Sequence, residues 1–213
     1  QIVGEAVESD SYLKSPYYSP RGYPGGSVRV GPLARLNVCR KFGTPLADKE
    51  LHDYRQRFGG VAHSCFLYHH ARLIEILGSL EQVDQLLDDP DLQSDNLRAK
   101  AGINRSEGVG ISEAPRGTLI HHYYVDEHGI VTKLNLIIAT GFNNLAMNQT
   151  VAQVAKHYIK GPNIPEPMLN RVEASIRSFD PCLSCSTHAV GAMPMQIQLL
   201  AANGEVLDEV RRD

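Results

Sequence analysis

Two cysteines three residues apart, near the end of the chain, constrain this sequence more than any other feature. Cys182 and Cys185 follow Asp180-Pro181 and precede His188. Cysteine thiolates prefer soft metals such as nickel, iron, zinc or Cu(I) over hard cations. A Cys-x-x-Cys pair also occurs in redox disulfides, in zinc half-sites and at one edge of a metal cluster. The spacing alone leaves all of these open, together with two ordinary buried cysteines.

Size and composition exclude several classes of protein. The 213 residues can bury a substantial core, as one domain or two small ones. The formal net charge of −3 gives no basic footprint for nucleic acid. No apolar run reaches the length of a membrane-spanning helix, no signal peptide opens the chain, and four cysteines do not make a disulfide scaffold, so we expect a cytoplasmic protein.

The first half of the chain combines an irregular segment with two helical patterns. Residues 1–40 are rich in Tyr, Pro and Gly, which favours extended and turn segments over helix. Thr44 and Pro45 predict a helix start with the Thr44 side chain as its cap, and Gly59-Gly60 predicts its end. A longer helix, ending at 88–90, is predicted by apolar residues spaced by three, four or seven: Phe66, Leu73, Ile74, Leu77, Leu80 and Leu87.

The second half alternates between strand and helix patterns. Asn203-Gly204 is a strong two-residue hairpin turn near the carboxy terminus. The expected fold is α+β and mainly helical, with one β-hairpin in the middle and one at the tail. The predicted elements are a glycine-bounded loop at 108–117, strands at 118–125 and 130–139, helices at 144–158 and 168–179, and strands at 195–201 and 205–210.

The cysteine motif, Asp-Pro-Cys-x-x-Cys-x-x-His, resembles the carboxy-terminal signature of the large subunit of nickel-iron hydrogenases. The resemblance implies that Cys182 is a terminal nickel ligand and that Cys185 bridges to an iron carrying cyanide and carbon monoxide. It also implies that His188 binds magnesium or a similar ion. The family's second cysteine pair, in an Arg-x-Cys-Gly-x-Cys context, does not occur here, since Cys39 and Cys65 are single and widely separated. The chain therefore carries half of the family's metal ligands.

Two further motifs resemble the same family. The segment Glu-Ala-Pro-Arg-Gly at 113–117 matches a family signature whose arginine lies over the open side of the metals, which implies that role for Arg116. The ordinary alternative is a surface arginine in a turn. Residues 139–143 resemble the family's Pro-Ser/Thr-Thr-Trp-Asn segment, which implies that Thr140 donates to a cyanide, although a threonine bonded to a strand-end carbonyl is a fair alternative. Asp180 is expected to hold Arg116 through a charge-assisted contact.

The resemblance also implies an activity and partners. Residues 11–18 and 29–35 resemble cytoplasmic, NAD-linked bidirectional hydrogenases, so the parent protein is expected to split H2 reversibly and to reduce NAD. The partners implied are a small subunit with iron-sulfur clusters, flavin and NAD diaphorase subunits, a maturation protease and nickel chaperones. In the family the protease cuts directly after the histidine that matches His188. Residues 189–213 are therefore expected to be an extension removed on maturation, and the chain with them an unprocessed apo precursor.

We interpret residues 1–213 as the carboxy-terminal part of such a large subunit, since the chain opens with Gln1 and lacks one cysteine pair. Such a piece is expected to be inactive alone and to self-associate through exposed apolar surface. Two other classes stay open at this point. One is a non-catalytic relative like the large subunit of respiratory complex I, which has no use for Cys182 and Cys185. The other is a zinc or thiol-redox module built on that pair, for which no second Cys/His pair at zinc-finger spacing exists.

Overall fold

The computed structural model describes residues 2–7, 13–100, 102, 104–187 and 195–212. The chain forms two compact units. One unit combines Gln1–Arg29 with Thr140–Asp213, and the other is the continuous segment Val30–Ala139. The cysteine motif belongs to the first unit and the arginine turn at Arg116 to the second.

Within the described ranges, six α-helices and seven short β-strands follow one another in groups of two or three. The strands pair antiparallel as β1–β2, β3–β4–β5 and β6–β7. The prediction of a mainly helical α+β fold with a central and a carboxy-terminal hairpin is confirmed. In chain order the elements are β1 (Val3–Val7), β2 (Lys14–Tyr18), α1 (Pro32–Val38), α2 (Pro45–Phe58), α3 (Leu67–Leu87), β3 (Glu107–Ala114), β4 (Gly117–Val125), β5 (Val131–Ile137), α4 (Ala139–Tyr158), α5 (Glu166–Ser178), α6 (Leu183–Thr187), β6 (Met195–Leu200) and β7 (Val206–Arg212).

Two predictions of irregular structure are wrong. Residues 32–38 are helical, because Gly31 and Pro32 start α1 and the helix buries Leu33 and Leu36, each only 1% exposed. The predicted glycine-bounded loop at 108–117 is instead strand β3 and a tight turn, so the central hairpin is widened to three strands. Burial in α1 and pairing with β4 in β3 override a composition rich in glycine and proline.

Helix α2 begins at Pro45 and ends before Gly59, as predicted, and Gly59 adopts the left-handed conformation with φ 77°. The Thr44 side chain does not cap it. The Glu81 carboxylate of α3 accepts hydrogen bonds from the Leu46 and Ala47 amides, each at 2.9 Å. A charged group placed by tertiary packing therefore caps this helix, where sequence alone indicated a local hydroxyl.

Helix α3 ends at Leu87 as predicted, but it begins at Leu67, one residue after Phe66, and its apolar residues divide between two faces. Tyr68, Ala71, Ile74 and Gly78 are buried. Gly78 lets α3 approach its neighbours, because an added Cβ would lie 3.0 Å from the Phe42 ring and 3.1 Å from the Ala47 side chain. Of the apolar residues whose spacing predicted this helix, Ile74 is buried, whereas Phe66, Leu73, Leu80 and Leu87 are exposed. The exposed row on α3, which starts one residue before the helix, comprises Phe66, Leu73, Ile76, Leu80, Val83 and Leu87.

The first unit packs its tail hairpin against helices. Ile164, Met168 and Val172, the last two on α5, form a buried cluster. Apolar side chains from α4 and from alternate positions of β6 pack against it: Val151, Val154, Met195, Ile197 and Leu199. The Asp208 carboxylate of β7 accepts a hydrogen bond from the Ile164 amide. Among the described helices, none combines the length and apolar character needed to cross a bilayer.

The cap at α2 predicts a pH-dependent stability. Desolvation alone raises the pKa of Glu81, but hydrogen bonds from the Leu46 and Ala47 amides outweigh it and lower the pKa below the ordinary 4.5. A depressed carboxyl pKa stabilises the fold above the unfolded value, and this contribution disappears as the pH falls through the folded value. We expect Glu81→Gln to lower the free energy of unfolding in urea at pH 7, and the difference from wild type to disappear as the pH falls through the lowered pKa of Glu81.

Glu50→Gln, at an exposed position of α2, controls for the loss of one surface charge. A stability difference between wild type and Glu81→Gln that stays constant from pH 7 to pH 3 would contradict the role of the charged cap.

Candidate metal centre

The cysteine motif starts where α5 ends. The Phe179 and Asp180 amides donate to the Ile176 and Arg177 carbonyls at 3.1 and 2.9 Å, which tightens the last turn. Asp180 then adopts a left-handed conformation with φ 51°, the one non-glycine residue with positive φ in the described part of the chain. Aspartate visits this region more readily than most residues, and the following Pro181 cannot continue the helix. The chain therefore reverses directly before Cys182.

Cys182 and Cys185 lie one helical turn apart at the start of α6. The Cys182 carbonyl accepts a hydrogen bond from the Ser186 amide at 3.1 Å. The two Cα atoms are 5.3 Å apart, and the sulfurs meet at bonding distance, as a disulfide. In the reduced state, the same two sulfurs would converge on one point, as two soft donors to a single soft metal must. The pair therefore fits half of a nickel-iron site.

Other metal ligands are not assembled around the pair in the described part of the chain. No group of three His, Cys, Asp or Glu side chains in those ranges could hold a metal ion. Cys39 is free and exposed, and Cys65 is free and partly exposed. The predicted ion ligand His188 lies outside the described residues. The described residues thus present an incomplete ligand set.

Thr140 contacts the cysteine motif directly. It lies in the first turn of α4, since this helix begins at Ala139 and not at 144, so its predicted place at a strand end is wrong. The side chain is 2% exposed, and its Oγ1 accepts a hydrogen bond from the Cys182 amide at 3.2 Å. Because the oxygen accepts in this contact, the O–H of Thr140 remains available as a donor. Resemblance indicated both residues, but not the contact between them.

Arg116 lies on the two-residue turn between β3 and β4, which closes on the pair Ala114 and Gly117. Its side chain is partly buried. The adjacent Glu113 carboxylate accepts hydrogen bonds from the Thr118 hydroxyl and from Arg35. The turn is therefore well fixed within its unit, whereas the contact between Arg116 and Asp180 stays a prediction.

Sequence reasoning missed the residue that holds this turn. Arg35 of α1 forms a bidentate ion pair with Glu75 of α3 and donates to the Ala114 and Pro115 carbonyls. Burial alone would lower the pKa of Arg35, but its hydrogen bonds and charge interactions with Glu75 and Glu113 raise it above the ordinary value. The sequence signal that could have indicated Arg35 is its position in the segment 29–35. This segment resembles the hydrogenase family, but the resemblance implies no role for its residues.

Comparisons with known proteins identify the family of this chain. The profile of the nickel-dependent hydrogenase family matches residues 5–188. The NAD-reducing hydrogenase HoxS subunit beta of Cupriavidus necator is 48% identical over 212 residues, which are 98% of this chain and 43% of that protein. One subunit of the vhc F420-non-reducing hydrogenase of Methanococcus voltae is 43% identical over 206 residues, which are 95% of this chain and 44% of that protein.

A solved structure shows the same fold. A crystal structure of an NAD+-reducing NiFe hydrogenase in the H2-reduced state superposes with a TM-score of 0.83 and 46% identity, over 88% of this chain and 42% of that one. The chain therefore belongs to the nickel-dependent hydrogenase family. Within that family it is similar to a subunit of an NAD-reducing hydrogenase, and it spans less than half the length of the curated relatives it matches.

The contact between Thr140 and Cys182 predicts a specific stability difference. Thr140→Val preserves shape but leaves the Cys182 amide without its acceptor, so we expect the free energy of unfolding to fall by about 1–3 kcal/mol. Thr140→Ser keeps the acceptor and should lose less. Urea unfolding monitored by circular dichroism measures both. A valine variant as stable as wild type, or more stable than the serine variant, would show that the methyl group matters more than the hydrogen bond.

The left-handed Asp180 predicts a second ranking of variants. Asp180→Asn keeps a side chain that tolerates this conformation, whereas Asp180→Ala places a plain Cβ in it at a cost of about 1–2 kcal/mol. We therefore expect the alanine variant to unfold at lower urea concentration than the asparagine variant. If the alanine variant were at least as stable as the asparagine variant, backbone conformation would not be what Asp180 contributes.

Proposed function

We propose that this chain is part of the catalytic subunit of a nickel-iron hydrogenase that reversibly splits H2 into protons and electrons. The observation that carries the proposal is the cysteine pair, which a left-handed Asp180 and the Thr140 contact hold in one turn inside the matched family region. Two converging sulfurs suit soft metals, and nickel and iron are among them.

Each residue of the motif has a role in this proposal. Cys182 would be a terminal nickel ligand and Cys185 the bridging ligand to an iron with cyanide and carbon monoxide. When bound, the nickel-iron centre supplies the metal position at which H2 is activated. The Cys182 sulfur is then the group placed to accept a proton. The hydroxyl of Thr140 accepts from the Cys182 amide, which leaves its hydrogen to donate to a cyanide beside the pair.

Arg116 contributes permanent charge. A guanidinium keeps its proton at all physiological pH values and has five donors, so it can hydrogen-bond a cyanide and polarise the open side of the metals. A guanidinium has donors only and no acceptor, so the Cys182 thiolate is the better proton acceptor. Asp180 would orient the Arg116 side chain through a charge-assisted hydrogen bond. His188 would bind magnesium or a similar ion.

The similarity to an NAD-reducing relative supports the coupling of H2 oxidation to NAD reduction in the cytoplasm. The partners proposed are a small subunit with iron-sulfur clusters, flavin and NAD diaphorase subunits, a maturation protease and nickel chaperones. The chain by itself would be inactive and apo, since the family's second cysteine pair is absent from its sequence. The exposed row on α3 gives the expected self-association a surface.

A thiol-redox function is the second candidate, because the sulfurs of Cys182 and Cys185 meet at bonding distance. This function needs only a reducible pair and no further metal ligands. The two candidates differ in metal content. A redox module would keep dithiol exchange and take up no nickel, whereas a hydrogenase subunit would take up nickel during assembly.

Cysteine substitutions test the proposal. In a hydrogenase assembled with this chain, Cys182→Ala or Cys185→Ala should reduce nickel from about one per chain to background, because each removes a thiolate ligand. H2-dependent dye reduction should be lost in parallel. Cys39→Ala and Cys65→Ala are matched controls, since these free cysteines lie outside the motif, and both should retain metal and activity.

Elemental analysis for nickel, iron and zinc, together with dye reduction under H2, distinguishes the outcomes. Nickel retained in both motif variants would overturn the proposal. Loss of zinc in the Cys39 or Cys65 variant, with no nickel in wild type, would favour a zinc module instead.

Processing of the tail is a further prediction of the proposal. We expect nickel loading, in cells that contain the maturation protease, to shorten the chain by residues 189–213, which intact mass spectrometry detects. The Cys182→Ala chain cannot complete the nickel site and should keep its tail. Removal of the tail from that variant at the wild-type rate would show that cleavage does not depend on nickel.

A further inference from the structure

The Arg35 guanidinium is fully occupied by hydrogen bonds. Its Nε and Nη2 donate to the two Glu75 oxygens at 2.6 and 2.7 Å. Its Nη1 donates to Glu113 Oε2 at 2.9 Å and to the Ala114 carbonyl at 3.0 Å, and Nη2 donates to the Pro115 carbonyl at 2.9 Å. These contacts use all five N–H groups of the side chain. The Arg35 guanidinium is thus bonded to α3 through Glu75, and to the turn that carries Arg116 through Glu113 and the two carbonyls.

The opposite side of the turn is fixed by close backbone packing. Gly31, with φ 98°, lies so close to the turn that an added Cβ would be 2.7 Å from the Arg116 carbonyl oxygen. Gly117, with φ 130°, lies against the side chain of Val30. The Val30 carbonyl in turn accepts a hydrogen bond from the Tyr68 hydroxyl of α3 at 3.0 Å. The turn is therefore held between the segment Val30-Gly31 on one side and the Arg35 guanidinium on the other.

We infer that Arg35 is a positioning residue that fixes the backbone of the Pro115-Arg116 turn and thereby the place of the Arg116 guanidinium. The inference rests on the proposed function insofar as Arg116 acts at the metals. The Arg35 and Glu75 side chains are 21% and 17% exposed, so the ion pair is partly shielded from water. Lysine cannot replace Arg35, because a single ammonium cannot bond a carboxylate in bidentate fashion and two carbonyls at once.

The positioning is tested first on the chain by hydrogen exchange of backbone amides. Arg35→Lys should raise the exchange rate at residues 113–118 about tenfold or more, because charge-assisted bonds to the turn are lost. Arg55→Lys is a matched control. Arg55 donates to the carbonyls of Leu36, Cys39 and Arg40 at the end of α1, away from the turn. In this control the exchange at 113–118 should stay at the wild-type rate.

Glu75→Gln provides a second variant in case Arg35→Lys fails to fold. It keeps the Arg35 side chain but weakens its attachment to α3, so a smaller rise in exchange at 113–118 is expected. Wild-type exchange at 113–118 in both Arg35→Lys and Glu75→Gln would overturn the inference.

A double-mutant cycle tests whether Arg35 acts through Arg116. In the assembled hydrogenase, Arg35→Lys should lower H2-dependent dye reduction by about 10- to 100-fold, as expected when a reacting group is misplaced. In an Arg116→Lys background the same substitution should cost little more, because the group it positions is already altered. Fully additive losses would overturn the inference, since they would indicate a general structural effect of Arg35.

A failure of the proposed function would give a different experimental result from a failure of this inference. If Arg116→Lys keeps wild-type turnover, Arg116 has no role at the metals and that part of the proposal is wrong. The hydrogen-exchange result then still decides whether Arg35 holds the turn.

Discussion

The reversal at the end of α5 is the constraint on which the cysteine site depends. Pro181 cannot continue the helix, and Asp180 takes a left-handed conformation that turns the chain back. Once the chain has turned, the Cys182 amide meets the buried Thr140 hydroxyl of α4. One backbone conformation and one hydrogen bond therefore place two sulfurs at a defined point, on a chain segment that begins a new helix.

The two units hold their site-bearing turns in physically different ways. The cysteine turn is anchored by the neutral hydrogen bond between Cys182 and Thr140 and by the tightened last turn of α5. Both are short-range contacts. The turn at Arg116 is anchored by the Arg35 guanidinium, which is charged and bonds Glu75 in bidentate fashion. Each turn needs such support, because Asp180-Pro181 and Pro115-Arg116 both lie outside the helices and strands.

The sequence predicted correctly those features that are determined by residues close together in the chain. Pro45 and Gly59 mark the ends of α2 correctly, because a fixed φ and a left-handed residue act on their own neighbours. The errors arise where distant residues meet. Glu81 caps α2 from 35 residues away, and Arg35 meets Glu75 across 40 residues. The motifs around Cys182 were readable from resemblance, but no periodicity could indicate which carbonyls Arg35 holds or which face of α3 would be buried.

The tail hairpin has a consequence for how this chain reaches its final state. Met195, Ile197 and Leu199 cover the apolar cluster that contains Met168 and Val172 of α5, the helix that leads into the cysteine turn. The tail hairpin, which is proposed to be removed, is thus also the surface against which α5 packs. Cutting it off would uncover the apolar side chains of Met168 and Val172, so the shortened chain would need another surface to keep water from them.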